Sequence, residues 1–166
     1  MPLFGPPNVA RLNALGKVEE LTKVTRYKKD PAVAEAARAA LTDMLDMLIE
    51  SLADKNLRKV LICRDALKAI GQPAVDKLTF IVERGHVHRR QDAAFTLGFI
   101  GAPDLAAVDA LVGALRHSDP LLRMIAAQAL GRIGDPRARR PLRLATADEN
   151  EQVVKAATKA LKQLTA

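Results

Sequence analysis

Apolar residues recur along the chain with the spacing of amphipathic helices. A clear stripe is formed by Leu105, Val108, Leu111, Val112 and Leu115. These positions fall at i, i+3, i+6, i+7 and i+10, which is one face of a helix. The β-branched and aromatic runs that strand-rich domains need are missing. The pattern therefore predicts an all-α chain.

The helical stripes belong to a repeat. The segment around Leu130 has a copy 33 residues earlier around Leu97, and a third copy, 30 residues before that, around Leu67. Weaker copies at both ends complete the set of anchor leucines, which are Leu41, Leu67, Leu97, Leu130 and Leu161. Because repeats of this length are typical of helical solenoids, we predict a right-handed α-solenoid of about five two-helix repeats.

Glycine and proline divide each repeat into a first helix, called A, and a second helix, called B. A glycine ends the B helix at Gly71, Gly101 and Gly134, since glycine takes the left-handed conformation of a helix C-terminus at little steric cost. A proline follows two residues later, where the first turn of the next A helix tolerates it. The predicted helices span 8–15, 17–27, 31–42, 45–53, 57–70, 73–83, 88–100, 104–115, 120–133, 137–145 and 151–164. Because 41–52 contains neither glycine nor proline, the sequence leaves open whether 31–42 and 45–53 are separate helices.

The length of 166 residues suits one domain with a continuous core. The core residues are mainly aliphatic and small, with four Phe, one Tyr and no Trp, which favours closely packed helices. We expect an N-terminal segment, 1–16, with a short capping helix, followed by a helical repeat domain over 17–166. The predicted repeats occupy approximately 17–44, 45–72, 73–102, 103–135 and 136–166.

The chain is expected to be cytoplasmic and to make no contact with a membrane. The single Cys63 excludes an intramolecular disulfide framework. No apolar run approaches the roughly 18 residues of a membrane span, and the opening residues lack the basic region and apolar stretch of a secretory signal.

The repeated residues resemble a known family. Asp119-Pro120-Leu121-Leu122-Arg123, together with Ala126 to Pro136, is similar to the short HEAT repeat of phycobilisome lyases and many bacterial HEAT-like proteins, which have armadillo-type folds. The opening residues 1–9, with Tyr27 to Asp30, resemble the start of a group of bacterial HEAT-repeat proteins of unassigned function. The resemblance implies a solenoid whose B helices line a concave face that binds a partner.

The sequence departs from the family pattern at an arginine near the start of each B helix. This arginine is present as Arg90 and Arg123, whereas the corresponding positions hold Ala34, Val60 and Val154. Any ladder of Asp and Arg pairs along the stack is therefore expected to be interrupted.

Basic residues concentrate in the second half of the chain. The formal net charge is +7, and residues 84–143 contain ten basic and five acidic side chains. Guanidinium groups bind carboxylate and phosphate in two-pronged geometry, so we predict an anion-binding or partner-binding strip along one edge of the solenoid, although charged turns of this kind are also common as solvated surface. The candidate residues are Arg84, His86, His88, Arg89, Arg90, Arg116, His117, Arg123, Arg137, Arg139 and Arg140, with Arg132 and Arg143 nearby.

Other candidate chemistry is weak. His86, His88 and His117 have no carboxylate or thiol at a metal-ligand spacing, so surface histidines are the favoured interpretation and no metal is predicted. Cys63 takes the position that alanine holds in other repeats, which predicts a buried, inert thiol rather than a nucleophile or chromophore attachment point. No histidine is followed by Glu, as the His-Glu pairs of di-iron HEAT hydroxylases require, and no Gly-rich phosphate loop is present.

These features predict a non-enzymatic scaffold that binds another protein, with an acidic partner favoured by the charge. The binding surfaces are expected to be the concave B-helix face and the basic edge. Nucleic-acid binding is the first alternative, although five aromatic residues and no Trp give few stacking platforms. A subunit of a phycobilin lyase-like enzyme is the second. No cofactor is predicted, and the sequence leaves the oligomeric state open.

Overall fold

The structure, a computed structural model, describes residues 7–165. Residues 1–6, which include most of the opening segment that resembles bacterial relatives, lie outside the described part. Throughout 7–165 the regular structure is helical. The helices are α1 (Val9–Ala14), α2 (Val18–Val24), α3 (Pro31–Asp43), α4 (Leu45–Glu50), α5 (Leu57–Ile70), α6 (Gln72–Arg84), α7 (Val87–Ile100), α8 (Leu105–Ala114), α9 (Pro120–Ile133), α10 (Arg139–Ala145) and α11 (Glu151–Thr165), with 3-10 turns at Ser51–Ala53 and Pro136–Ala138.

The all-α prediction is confirmed, and the helix bounds follow from local signals. Asn56 caps α5 by accepting hydrogen bonds from the backbone N–H groups of Arg58 and Lys59. Asp119 caps α9 in the same way, because a short polar side chain satisfies N–H groups that have no partner inside the helix. Gly134 ends α9 with a φ of 77°, in the left-handed region. The bounds predicted for α5 and α9 match the structure.

The question left open at 41–52 is answered by Met44. Helix α3 ends at Asp43 and α4 begins at Leu45, so the two helices are separated by this single residue. Met44 has φ −95° and ψ 5°, and its N–H donates to the carbonyls of Leu41 and Thr42. These bonds reach back three and two residues instead of the four of an α-helix, so the helix is interrupted here without glycine or proline.

Internal contacts divide the chain into two compact units, one ending at Ala74 and one beginning at Val75. In the first unit, α5 packs on α2, α3 and α4. Its fully buried side chains include Leu21, Leu41, Leu48 and Leu67. Two of the predicted anchor leucines, Leu41 and Leu67, therefore lie in this core.

In the second unit the B helices α7, α9 and α11 are parallel neighbours, and α9 packs extensively on both of the others. Their backbones approach closely where small residues meet. A Cβ added to Gly98 of α7 would lie 2.7 Å from Cα of Ala129, and one added to Gly131 of α9 would lie 2.7 Å from Cβ of Ala160. Small residues at these contacts bring the helices together and place their outer side chains on one surface.

None of the helices within 7–165 has the combination of length and apolar character that a membrane crossing requires. The proposed division into an N-terminal segment and five repeats stays a prediction.

Candidate functional site

The parallel B helices give the second unit two separate edges. Contacts at both ends fix this arrangement: Gln91 near the start of α7 reaches Asp119 at the start of α9 (Nε2 to Oδ2, 2.6 Å), while Gly98 and Ala129 meet near the helix C-termini. The turns that enter the B helices therefore form an N-terminal edge, and the turns that leave them form a C-terminal edge. The 14 residues of α9 separate the edges by about 20 Å.

The predicted basic residues are divided between these edges. The N-terminal edge carries Arg84, His86, His88, Arg89, Arg90, Arg116, His117 and Arg123. The C-terminal edge carries Arg137, Arg139 and Arg140. The structure thus brings together the first group and keeps the second group apart from it. Whether either group binds an anion stays a prediction.

Arg123 is buried, with 7% of its surface exposed. Its Nε and one terminal nitrogen donate to the two carboxylate oxygens of Asp148 at 2.8 and 2.9 Å. The other terminal nitrogen donates to the carbonyls of His117 and Ser118. The hydrogen bond from Arg123 holds the pKa of Asp148 below its ordinary value. Arg123 therefore binds an acid of its own chain and fastens two neighbouring turns together.

Arg90 holds the position in α7 that Arg123 holds in α9. Its Nε donates to the carbonyl of Gly85 at 2.6 Å, which matches the bond from Arg123 to the carbonyl of Ser118 one repeat later. The acid at the start of α9, Asp119, is bound by Gln91 rather than by an arginine. The link between the starts of α7 and α9 thus runs through an amide, while the interruption expected where Ala34, Val60 and Val154 replace the arginine stays a prediction.

The remaining charged side chains of the N-terminal edge face solvent. Arg84, His86, His88, Arg89 and Arg116 are exposed. His117 is half-buried, and its Nδ1 accepts a hydrogen bond from the backbone N–H of Asp119 at 3.0 Å. Among the described residues no group of three or more His, Cys, Asp or Glu side chains is arranged to hold a metal ion.

The C-terminal edge contains acids beside its arginines. Arg137 donates to both oxygens of Asp135, at 2.9 and 2.6 Å. This hydrogen bonding raises the pKa of Arg137, and the charges of Asp109 and Asp104 add to the effect. Arg139 donates to the carbonyl of Leu164 at the end of α11. Much of the positive charge at this edge is therefore balanced within the unit.

A groove on the outer face of two B helices combines amides and cations. This α9–α11 groove has a volume of about 490 Å³, and its floor is made by Ala156 and Ala160. The walls are long side chains, several of which end in nitrogen donors. The lining residues are Met124, Gln128, Arg132, Gln152, Lys155, Ala156, Lys159, Ala160 and Gln163.

The charge of the α9–α11 groove has one sign. Three of its lining side chains are cationic, Arg132, Lys155 and Lys159, and none of the described lining residues is acidic. Lys155 pairs with Glu151 one turn earlier, at 2.6 Å, and both side chains are largely exposed. Arg132 lies over the ring of Phe95 of α7, 4.9 Å from its centre. The groove therefore presents three exposed cations, of which Arg132 contacts an aromatic ring and Lys155 contacts a carboxylate.

The B-helix face is a predicted binding surface, but among the lining side chains only Arg132 is named by the charge pattern of the sequence. The other candidates lie mainly in the turns, because arginine and histidine are dense there. A signal was available in the helices themselves, because Met124, Gln128 and Arg132 lie at i, i+4 and i+8, outside the stripe of alanine and leucine. Lys155 and Lys159 show the same spacing in the next B helix. Polar residues that recur on one face of successive B helices mark this surface.

The first unit has its own smaller groove, of about 230 Å³, between α2 and α5. Its lining mixes both signs of charge with apolar side chains: Glu19, Thr22, Lys23, Arg26, Arg58, Leu61, Ile62 and Asp65. Cys63, on the same helix α5, is 4% exposed. Burial raises the pKa of its thiol, as expected for the inert cysteine that the sequence predicted.

The chain is similar to known repeat proteins. Residues 84–162 match a family model described as HEAT repeats. No curated protein matches the sequence. Among solved structures, an engineered protein is 20% identical with a TM-score of 0.54, covering 95% of this chain and 83% of its own.

Two further structures share the fold. Human deoxyhypusine hydroxylase, solved in complex with glycerol, is 22% identical with a TM-score of 0.57; the match covers 95% of this chain and 66% of the hydroxylase. A designed armadillo repeat protein, solved in complex with the peptide (KR)4, is 16% identical with a TM-score of 0.53; the match covers 96% of this chain and 87% of that protein. At these identities the similarity shows the fold alone. The structural matches show an α-solenoid fold, and residues 84–162 of that fold match the HEAT-repeat family.

Proposed function

We propose that this protein is a non-enzymatic scaffold and that the α9–α11 groove binds a peptide segment of a partner protein. The observation that carries the proposal is the composition of the groove, in which amide and amine side chains surround a floor of small alanines. Amide groups both donate and accept hydrogen bonds, as peptide groups do. Long polar side chains around a shallow floor suit a bound chain segment more than an enclosed small molecule.

The solved relatives support a binding role of this kind. The designed armadillo repeat protein was solved with a short basic peptide, so a protein of the same fold binds a charged peptide. One other relative is an enzyme, deoxyhypusine hydroxylase. The repeated side chains of this protein, such as Leu122, Ala126 and Leu130, are fully buried and serve packing. The exposed helix faces are therefore the surface that is available for binding.

Nucleic-acid binding by the N-terminal edge is less well supported. Its two best-placed arginines are engaged by the protein, because Arg123 binds Asp148 and Arg90 binds the carbonyl of Gly85. The exposed arginines of this edge are Arg84, Arg89 and Arg116, and two histidines are exposed beside them. Few phosphate contacts would give weak binding that salt readily abolishes.

The experiment is affinity capture from an extract of the source cell. The baits are the wild-type chain and a variant in which a large side chain blocks the groove. Gln128→Trp places a large ring in the groove wall, so partners that bind there are expected to be lost. Arg143→Trp is the matched control, because Arg143 is exposed on α10 and does not line the groove. Quantitative mass spectrometry compares the captured proteins.

The proposal predicts at least one partner that wild type and Arg143→Trp retain and Gln128→Trp loses. Circular dichroism and thermal unfolding check that both variants fold. If both well-folded variants capture the same proteins in the same amounts as wild type, the groove is not the binding surface and the proposal is wrong.

A further inference from the structure

We propose that the α9–α11 groove selects an extended peptide with acidic side chains at alternate positions. This inference rests on the proposed function and specifies the chemistry of the partner. It is carried by three observations: the single sign of charge in the groove, the spacing of its cations along the helix, and the length of the groove with its amide side chains. Each bears on a different property of the peptide.

The charge determines which side chains the peptide carries. Arg132, Lys155 and Lys159 line the groove, and the described lining has no carboxylate to repel an acidic group. The pair between Lys155 and Glu151 is exposed, so it contributes little and is readily exchanged for a carboxylate of a ligand. A basic peptide would place like charges side by side, which is unfavourable.

The spacing determines the pattern. Lys155 and Lys159 are four residues apart on α11, which separates them by about 6 Å along the helix axis. In an extended chain, side chains on the same face recur every two residues, about 6.6 Å apart. Carboxylates at positions i and i+2 of an extended peptide therefore match the two lysines. Adjacent carboxylates point to opposite faces and do not.

The length of the groove and its amide side chains determine how much peptide backbone the groove holds and how that backbone is hydrogen-bonded. From Gln152 to Gln163 the groove wall on α11 is about 16 Å long, which accommodates about five residues of extended chain. Gln128, Gln152 and Gln163 line the groove along this length. Because each amide offers both donors and an acceptor, they can satisfy the N–H and C=O groups of a peptide with no secondary structure of its own.

The groove favours a peptide over a single-stranded nucleic acid. Binding of unpaired bases relies on aromatic side chains on which the bases stack. No aromatic residue lines the described groove, and the nearby ring of Phe95 is covered by Arg132. Three cations alone would provide few phosphate contacts.

The test measures binding of labelled peptides to the full chain by fluorescence anisotropy at about 50 mM salt. Four probes are compared: an alternating peptide (Ser-Glu)4, a blocked peptide (Ser-Ser-Glu-Glu)2 of the same composition in which no two Glu residues stand at i and i+2, the basic peptide (Ser-Lys)4, and an oligo-dT of eight nucleotides. We expect (Ser-Glu)4 to bind severalfold more tightly than the blocked peptide of equal charge. The basic peptide and oligo-dT are expected to bind more weakly than either.

Charge reversal locates the site. Lys159→Glu is expected to weaken binding of (Ser-Glu)4 about tenfold or more, because an attractive pair becomes a repulsive one. Lys29→Glu makes the same change in net charge at an exposed lysine of the first unit and is expected to change the affinity less than about twofold. Arg132→Lys keeps the positive charge but loses the planar guanidinium group. Its loss of affinity is therefore expected to lie between those of Lys29→Glu and Lys159→Glu.

Equal affinity for the alternating and blocked peptides would show that the groove does not select acidic side chains at alternate positions. Equal loss of affinity in Lys159→Glu and Lys29→Glu would show that the peptide does not bind in the α9–α11 groove. Tighter binding of oligo-dT that Lys159→Glu abolishes would assign the groove to nucleic acid instead. These outcomes are independent of the capture experiment. If a partner is captured by wild type and lost in Gln128→Trp, the scaffold function is supported even when no acidic peptide binds.

Discussion

Arg123 links the turn before α9 to the turn before α11. Its side chain is 8% exposed and that of Asp148 is 11% exposed, so the pair is largely removed from water. A buried guanidinium that loses its two-pronged carboxylate partner is costly, because water has little access to replace the lost interaction. Glu149 also contacts Arg123, at 3.3 Å, but its side chain is 87% exposed. At the residue scale, the stability of this corner therefore depends on the ionised state of Asp148.

Replacing Asp148 by asparagine is expected to lower the free energy of unfolding at pH 7 by about 2–3 kcal/mol. The effect depends on pH in a definite direction. Because Arg123 holds the pKa of Asp148 below its ordinary value of 3.8, the stabilisation is fully present above that value. It is lost as the pH falls through the lowered pKa of the folded state. Urea unfolding of wild type and Asp148→Asn between pH 2 and 7 measures the difference.

Glu149→Gln is the matched control, since an exposed partner contributes at most about 1 kcal/mol. A difference between wild type and Asp148→Asn that stays constant down to pH 2 would show that the carboxylate charge is not what stabilises this corner.

Helix-to-helix distance sets the depth of the α9–α11 groove. Gly131 faces Ala160 so closely that a Cβ would also lie 2.8 Å from Cα of Ala160 and 2.5 Å from Oε1 of Gln163. A backbone contact cannot be relieved by a side-chain rotation, so a methyl group here forces the helices apart. At the element scale, the same glycine serves both packing and the shape of the groove.

Gly131→Ala is expected to destabilise the protein by about 1–3 kcal/mol even though alanine is the better helix former. Gly113→Ala is the control, because a Cβ at this position in α8 meets nothing within 4 Å. At this position only the higher helix propensity of alanine acts, so Gly113→Ala should raise the free energy of unfolding by about 0.5–1 kcal/mol. Thermal unfolding compares the variants, and a stabilised Gly131→Ala would contradict the close approach.

The elements that the sequence predicted best are those with complete local signals. Helix α9 has Asp119 before it and Gly134 after it, and both ends were predicted correctly. The break at Met44 carries no comparable residue, so the sequence could not decide between one helix and two. Helix α10 has a shorter α-helical span than predicted, because Pro136–Ala138 forms a 3-10 turn before it.

The candidate site was harder to predict, because it depends on contacts between repeats. An arginine 25 residues from its acid gives no local sign of which acid it binds, so the sequence places Arg123 in the candidate anion-binding strip as well as in the family's pattern of Asp and Arg pairs. Likewise, Arg84 and Arg140 were placed on one edge because they are close in sequence to other basic residues. The direction of the helices between them puts them on opposite edges.

At the scale of the whole molecule, the helices differ greatly in how much of their surface is buried. Within the second unit, α9 contacts α7, α8 and α11, and its Leu122 and Leu130 are fully buried. Helix α1 of the first unit has six residues and no buried residue. Local opening is easiest where few apolar contacts must be broken.

Hydrogen exchange is therefore expected to be slowest for the backbone amides of α9 and fastest, among the helices of 7–165, for those of α1. Exchange followed by mass spectrometry of proteolytic fragments at neutral pH measures both. Protection of α1 equal to that of α9 would show that residues 9–14 are held by contacts beyond those described here.

The contact between Arg132 and Phe95 has a consequence for the time course of binding. A lysine in the groove must lose rotational freedom when it meets a carboxylate, and this entropy loss opposes the complex. Arg132, stacked on the ring at 4.9 Å, has already lost part of that freedom in the unbound protein. In the proposed complex, Lys155 and Lys159 would act mainly on the rate at which the acidic peptide arrives, through long-range attraction. Arg132 would act mainly on how long the peptide stays bound.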